Sequence, residues 1–316
     1  MARSRAPFCV GLALLAGCAL PAARRLEPKD IRPLPRFFLQ ELVTRRRASG
    51  LSLAVYDTGS VTVPGDLLSE LKSPRSRVQL SLPAFLIRHP EQGLILFDAG
   101  LPPQGGAGPG EFHAAYSPSP KGDLASQLER GGVRLEDVRW VMLSHLHWDH
   151  TGRLDAYPNA TVVADRREWD AQAQKTRTGP LPGEFDPAAM EAKLRLRLAD
   201  LAGAPAYGVF DHGLDLFQDG SVYLIDLSGH SPGSLGLWVN LDSGPVLLAG
   251  DAAWVLDNCQ DLALPQPQTM SDPPQYWRKL NMMSRMAKEV PQLVIFPGHD
   301  LMPLKLQPKP DIRLVP

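Results

Sequence analysis

The chain has little cysteine, no excess of either charge and no long hydrophobic run. It has three cysteines in 316 residues. Cys9 and Cys18 lie near the N-terminus, so Cys259 is the one cysteine in the body of the chain. A single cysteine has no partner there, which excludes an internal disulfide framework. The net charge of −1 gives no sign of nucleic-acid binding. A hydrophobic content of 44% is enough for one large domain with a sizeable core.

The N-terminus has the pattern of a secretory signal. Arg3 and Arg5 precede an apolar run, Pro7 to Ala16, which is too short for a stable membrane span. The segment Leu15-Ala16-Gly17-Cys18 resembles a bacterial lipobox, in which the cysteine is lipidated. We therefore expect a signal peptide at 1–17, lipidation at Cys18 and a tether over 18–48. The protein would be extracytoplasmic and anchored to a bacterial membrane through this lipid only, with the outer membrane favoured; a periplasmic or secreted protein is the alternative.

The most informative motif is Ser144-His145-Leu146-His147-Trp148-Asp149-His150. It directly follows Val138–Leu143, a mostly apolar run that predicts a buried strand. Imidazole and carboxylate are ligands that zinc and similar divalent metals prefer. On an extended turn, His145 and His147 can point one way while Asp149 and His150 point another. This arrangement suits two metal ions better than one. The alternative, a polar loop that binds no metal, is disfavoured by three histidines so close together at a strand end.

Three later strand ends supply further donors, each flanked by glycine, which permits tight turns and close backbone approach. These donors are His230 after Val222–Asp226, Asp251 after Pro245–Ala249 and His299 after Leu293–Phe296. Five of the eight histidines therefore lie in such loops. The others, His89, His113 and His212, are expected to be surface or hydrogen-bonded core histidines.

This ordered set resembles the metallo-β-lactamase superfamily of binuclear metallohydrolases, from about Leu51 to Asp300. The resemblance implies an α+β fold, a four-layer αββα sandwich, with residues 49–316 as the catalytic domain. It implies two divalent metal ions, zinc first, with iron, cobalt or manganese as alternatives. The implied roles are His145, His147 and His230 at the first metal, Asp149, His150 and His299 at the second, Asp251 bridging both, and Asp98 supporting the metal loops.

Within the superfamily, the chain looks most like the quorum-quenching N-acyl homoserine lactone lactonases. Asp251 in place of cysteine, and His150 in place of arginine, argue against the true β-lactamases. One position departs from the lactonase pattern, because Trp254 stands where those enzymes carry a tyrosine that contacts the substrate carbonyl. An indole N–H can donate a hydrogen bond but cannot accept one. We therefore expect Trp254 to line the substrate pocket, with altered substrate preference.

The expected reaction is attack by a metal-activated hydroxide on a small-molecule lactone or other carboxylic ester. Asp149 would also carry the proton from the nucleophile to the leaving group. Three alternatives stay open: a mononuclear iron dioxygenase, a thioester hydrolase of the same fold, and a non-catalytic zinc-binding surface lipoprotein. The sequence leaves the oligomeric state open.

The predicted layout is rich in strands at both ends and mixed between them. In a sandwich of this kind the metal loops gather at one edge of the two sheets. The predicted early strands are Leu51–Tyr56, Val78–Arg88 and Leu94–Asp98, the predicted helices are Leu124–Arg130, Asp165–Gln174, Ala188–Leu198 and Pro273–Val290, and Pro102–Lys121 is predicted to be a long loop.

Overall fold

A computed structural model describes residues 50–103, 106–107, 115–181 and 183–316. The predicted signal peptide at 1–17, Cys18, the tether to residue 48 and His113 lie outside the described residues. Among the described residues, no helix has both the length and the apolar character needed to cross a membrane.

The first sheet contains nine strands within the described part of the chain. They are β1 (Ser52–Pro64), β2 (Arg77–His89), β3 (Gly93–Phe97), β4 (Gly106–Ala107), β5 (Ala115–Pro118), β6 (Val138–Met142), β7 (Thr161–Asp165), β8 (Arg195–Ala199) and β14 (Ile312–Leu314). Their order is β4-β5-β1-β2-β3-β6-β7-β8. Strand β14 pairs in parallel with the first half of β1, whereas β5 pairs with its second half.

The second sheet has five strands in the order β13-β12-β11-β10-β9. They are β9 (Gly213–Asp215), β10 (Val222–Asp226), β11 (Leu235–Leu241), β12 (Gly244–Leu248) and β13 (Val294–Phe296). The pairs within β9 to β12 are antiparallel, and β12 and β13 are parallel.

Seven α-helices lie within the described part of the chain. They are α1 (Gly65–Leu68), α2 (Leu124–Arg130), α3 (Arg166–Thr176), α4 (Pro187–Glu191), α5 (Leu256–Asp261), α6 (Pro273–Glu289) and α7 (Met302–Leu306). Side chains of α2 and α3 pack on the first sheet, and the apolar face of α6 packs on the second.

Apart from these two sheet–helix interfaces, an apolar layer also fills the space between the two sheets. On β10, Val222 and Leu224 face this layer, whereas Tyr223 and Ile225 face the helices. Strands that are apolar on both faces need cover on both faces, which two sheets between two helical layers provide. The predicted α+β, four-layer αββα sandwich is confirmed.

The predicted helix Ala188–Leu198 is wrong over most of its length. Helix α4 ends at Glu191, and Arg195–Ala199 is strand β8, parallel to β7. In Arg195-Leu196-Arg197-Leu198 the charged and apolar residues alternate, which is the period of a strand. The arginines are exposed, and the leucines pack against the core between the first sheet and its helices.

The predicted loop Pro102–Lys121 is also wrong in part, because the short strands β4 and β5 lie within it. Tyr116 of β5 pairs with Val61 in the second half of β1. Strand β1 is correspondingly longer than the predicted Leu51–Tyr56. Pairing between segments distant in the sequence extends both strands, and no local pattern indicates it.

Candidate metal centre

Four loops, which follow β6, β10, β12 and β13, bring the predicted donors together. Glycines allow the loops to approach this closely. A Cβ atom on Gly298 would lie 2.2 Å from Oδ1 of Asp251, and one on Gly250 would lie 2.7 Å from Cβ of Ser144. Gly250 also adopts φ 51°, a left-handed conformation that favours glycine.

The first group of donors consists of His145, His147, His230 and Asp251, and one donor atom of each lies within 4.8 Å of the others. Nε2 of His230 is 3.1 Å from Nδ1 of His147 and 3.5 Å from Oδ2 of Asp251. Nε2 of His145 is 3.8 Å from the same Oδ2. Two ligands of a tetrahedral zinc ion lie about 3.3 Å apart, because each bond is about 2.0–2.1 Å long. His147 is exposed, whereas the other three are buried.

The second group consists of Asp149, His150 and His299, whose donor atoms also lie within 4.8 Å of one another. Oδ1 of Asp251 is 3.4 Å from Nε2 of His150 and 3.2 Å from Nε2 of His299. Oδ2 of Asp251 is 3.3 Å from the same His299 atom. The Asp251 carboxylate therefore lies between the two groups, as expected for a bridging ligand.

Asp98 holds the loop that carries the main motif. Its Oδ2 is 2.8 Å from Nδ1 of His150 and accepts a hydrogen bond of 2.8 Å from the Ser144 hydroxyl. Its Oδ1 accepts from the Ser144 backbone N–H at 2.7 Å, and the Ser144 hydroxyl is 3.0 Å from Nδ1 of His145. Asp98 therefore orients imidazoles of both groups, and such outer partners tune metal sites. Its φ of 60° is unusual for a residue other than glycine and costs about 1–3 kcal/mol.

The donor set fits divalent metal ions. Within the described chain, Nε2 of His145, Nε2 of His150 and Oδ1 of Asp251 are buried and make no hydrogen bond. A buried polar atom without a partner costs about 1–3 kcal/mol, so such atoms are rare unless another ligand satisfies them. All three belong to the two groups, and their chemistry is that of zinc ligands. The assignment of the seven residues as metal ligands stays a prediction.

Burial and mutual proximity shift the pKa values of these side chains. Burial lowers the pKa of His145 well below its usual range and that of His230 to about 3. Burial also opposes charge on His150 and His299, but nearby carboxylates, chiefly Asp251, outweigh it and raise both pKa values. The same two histidines overcome the burial of Asp251 and hold its pKa well below the usual range. The lowered pKa values of His145 and His230 favour the neutral imidazole, which is the form of histidine that binds a metal ion.

Trp254, which is predicted to line the substrate pocket, lies beside both groups. Its ring centroid is 5.9 Å from that of His230 and 6.0 Å from that of His299. It packs in one apolar cluster with Tyr116 and Trp148, whose rings meet edge to face at 4.7 Å. No sequence signal indicated this position for Tyr116, which lies in a Gly- and Pro-rich segment, or for Trp148, which lies within the His- and Asp-rich motif.

The remaining described histidines have structural partners. Nε2 of His89 is 2.9 Å from the Ser221 hydroxyl, and its Nδ1 accepts hydrogen bonds of 3.1 Å from the backbone N–H groups of Glu91 and Gln92. Nδ1 of His212 is 2.7 Å from the Ala204 carbonyl oxygen. Both are hydrogen-bonded structural histidines, as expected.

Comparisons with known proteins agree with the fold and the donor set. The sequence profile described as Metallo-beta-lactamase superfamily matches residues 77–299. The chain is 32% identical over 197 residues to an N-acyl homoserine lactonase, AttM, of Azorhizobium caulinodans, covering 59% of this chain and 70% of that protein. It is 24% identical over 231 residues to an N-acyl homoserine lactonase of Bacillus thuringiensis, covering 70% and 83% of the respective chains.

Solved structures show the same fold. A quorum-quenching N-acyl homoserine lactone hydrolase superposes with a TM-score of 0.64 at 20% identity, covering 83% of this chain and 95% of that chain. An N-acyl homoserine lactone hydrolase with the product N-hexanoyl-L-homoserine at its catalytic metal centre gives 0.65 at 22% identity, covering 82% and 96%. With two sheets between helices, donors on four strand-end loops and a profile match over 77–299, this chain belongs to the metallo-β-lactamase superfamily.

Proposed function

We propose that this protein is a metal-dependent lactone hydrolase, with N-acyl homoserine lactones as its first candidate substrates. One observation carries the proposal: the two oxygens of Asp251 lie within 3.2–3.8 Å of imidazole nitrogens from both donor groups. A carboxylate so placed supports a site for two metal ions. The lactonase relatives then indicate the substrate class.

Two divalent ions, when bound, would supply a hydroxide nucleophile near neutral pH and polarise the substrate carbonyl. The bond that breaks joins the lactone carbonyl carbon to the ring oxygen, and water adds to give an open hydroxy acid. Asp149 belongs to the second group and its side chain is 8% exposed. We propose that it takes a proton from the attacking water and returns it to the departing ring oxygen.

An aromatic wall would hold the acyl part of the substrate. Trp254, Tyr116 and Trp148 share one apolar cluster, and Trp254 lies beside both donor groups. Aromatic side chains bury large apolar areas, so an acyl chain is a suitable partner for this surface. The wall is the part of the site that departs from the lactonase pattern, through Trp254.

The decisive experiment is a substrate panel with the purified, metal-loaded protein. It should contain acyl homoserine lactones of different chain length, aryl esters, an acyl thioester, a cephalosporin and a phosphodiester. We expect metal-dependent turnover of lactones or carboxylic esters. Turnover of the thioester or phosphodiester alone would contradict the substrate class, and no turnover by protein with two equivalents of metal would favour a non-catalytic role. Metal analysis alongside the panel also tests the iron dioxygenase alternative, which needs one iron.

We also propose that the protein is extracytoplasmic and anchored through lipid on Cys18. The support is the order of Arg3, Arg5, the apolar run and Leu15-Ala16-Gly17-Cys18. Two acyl chains give stable anchoring where one is marginal. Fractionation of wild type against Cys18→Ser tests this: wild type should sediment with membranes and the variant should not. Identical partitioning of both into the soluble fraction would contradict the proposal.

A further inference from the structure

We infer that Glu168 is a positioning residue that ties together the two histidine-bearing loops of the first donor group. Glu168 lies in the first turn of α3 and is buried. Its Oε1 accepts a hydrogen bond of 3.1 Å from the backbone N–H of Leu146, and its Oε2 accepts one of 3.0 Å from that of Gly233. One carboxylate thus joins two loops that lie far apart in the sequence.

Each of these N–H groups lies close to a predicted ligand. Leu146 stands between His145 and His147, and Gly233 follows His230 by a few residues. The two loops meet where Nδ1 of His147 lies 3.1 Å from Nε2 of His230. Glu168 therefore fixes the backbones on both sides of that contact, and a shift of either would change the distance between the two imidazoles.

The backbone of Gly233 lies directly against α3. A Cβ atom on Gly233 would lie 2.4 Å from the Glu168 backbone nitrogen and 2.9 Å from Oδ1 of Asp165. Any larger residue would push the His230 loop away from the helix. The hydrogen bond of 3.0 Å from the Gly233 backbone N–H to Glu168 depends on this close approach.

Ion pairs hold the start of α3 in place. Asp165 caps the helix by accepting from the Arg167 backbone N–H at 2.8 Å. The Arg167 guanidinium donates at 2.8 Å to Asp226, which ends β10 just before the His230 loop. Asp226 also accepts from the buried Lys279 ammonium at 3.2 Å. The first turn of α3, which carries Glu168, is therefore anchored to β10. The loop that follows β10 contains Gly233, one of the two hydrogen-bond partners of Glu168.

The second donor group is held by other contacts. Oδ2 of Asp98 is 2.8 Å from Nδ1 of His150, and Nδ1 of His299 is 3.2 Å from the Ser81 carbonyl oxygen. Removing the Glu168 carboxylate should therefore weaken metal binding at the first group much more than at the second. This inference rests on the proposed function only in requiring metal at both groups.

The test measures the two stepwise zinc dissociation constants by competition with a chelator, for the full-length protein. His147→Ala identifies the constant of the first group, and His299→Ala that of the second. Glu168→Gln keeps the size of the side chain but replaces one acceptor oxygen with a donor, so it cannot accept from both N–H groups. We expect the zinc dissociation constant of the first group to rise roughly 10- to 100-fold, the usual cost of removing an outer hydrogen-bond partner that orients a metal ligand. The dissociation constant of the second group should be nearly unchanged.

Two further variants complete the experiment. Glu129→Gln, at an exposed position on α2, should change neither constant. Gly233→Ala perturbs the same hydrogen bond from the side of the loop and should also weaken zinc binding at the first group alone. If Glu168→Gln fails to fold, Gly233→Ala provides the test of the inference. Circular dichroism shows which variants are folded, and cobalt substitution should show an altered visible spectrum in Glu168→Gln. Unchanged constants, or equal weakening at both groups in folded variants, would overturn the inference. Because the readout is metal binding, it is separate from a failure to hydrolyse lactones.

Discussion

The Asp251 carboxylate lies between the histidines of the two donor groups, with its oxygens 3.2–3.8 Å from imidazole nitrogens of both. Without it, each group loses one acceptor, and the histidines of both groups face each other without a negative charge between them. We expect wild-type protein to carry close to two equivalents of divalent metal, and Asp251→Ala to carry well under one. Asp170→Ala, at an exposed position on α3, is the matched control. Metal analysis after gel filtration measures both, and a wild type that reproducibly carries one equivalent or less would contradict the binuclear site.

Trp254 should set the preference among acyl substrates. Its indole nitrogen is buried without a hydrogen-bond partner in the described chain, and the ring lies beside His230 and His299. Trp254→Tyr places a hydroxyl at the position where lactonases carry tyrosine. One transition-state hydrogen bond contributes a few kcal/mol, on the order of a hundredfold in rate. We therefore expect kcat/KM for acyl homoserine lactones to rise, by up to about this factor, relative to aryl esters.

Trp254→Phe is the control for that substitution, because it removes the indole N–H without supplying a hydroxyl. It should not raise lactone turnover. If wild type already cleaves these lactones as fast as any ester, and Trp254→Tyr changes nothing, specificity is set elsewhere in the pocket.

At the level of residues, the sequence indicated the candidate metal donors better than the residues that hold them in place. The donors occur in short motifs at strand ends, and the structure brings all seven together. The supporting role of Asp98 was also predicted, through the resemblance to the metallo-β-lactamase superfamily. Glu168 was not, because one acidic residue in the first turn of a helix looks like any other until two loops fold against it. Its role arises from tertiary contacts alone.

Among the loops, the absence of a side chain at Gly298 leaves room for the Asp251 carboxylate. A Cβ atom there would lie 2.2 Å from Oδ1 of Asp251 and 3.0 Å from the Gly250 carbonyl carbon. Gly298→Ala should therefore displace Asp251, lower the metal content and reduce turnover by at least about tenfold, in line with the sensitivity of such sites to their supports. Gly203→Ala is the control, because the three atoms nearest to a Cβ there would all belong to the Asp200 side chain, none closer than 3.1 Å. Full metal content in a folded Gly298→Ala protein would contradict this expectation.

The elements that the sequence misassigned are those defined by a distant partner. Arg195–Ala199 contains good helix formers, but its charged and apolar residues alternate with the period of a strand, and it pairs with β7 at the edge of the sheet. Ala115–Pro118 lies in a segment rich in glycine and proline, yet it pairs with β1. By contrast, α6 begins at a proline after its capping aspartate, Asp272, and its apolar spacing identifies it directly.

For the molecule as a whole, bound metal should act as a link between the two sheets. The first group draws on loops after β6 of one sheet and after β10 and β12 of the other. A ligand that binds only the folded state stabilises it by about 4 kcal/mol when present at about 1,000 times its Kd. For a domain of this size, that corresponds to a rise in Tm on the order of 10 °C.

Chelation should therefore lower Tm by about this amount, and reloading with zinc should restore it. Differential scanning calorimetry measures both, with Asp251→Ala as the control, since its Tm should respond little to the chelator. An equal response to chelation in wild type and variant would show that the ions contribute to stability elsewhere.

The accessibility of His147 has a kinetic meaning. It is the exposed member of an otherwise buried set of donors. An ion that enters from solvent should therefore contact this imidazole first, and an ion that leaves should contact it last. Exchange at the first group can proceed by rotation of one surface side chain, whereas exchange at the second must wait for the surrounding loops to open. When zinc-loaded protein is mixed with a labelled zinc isotope, the first group should equilibrate faster. The protein would then keep the ion of the second group through brief shortages of metal, while the occupancy of the first group would follow the concentration of metal in solution.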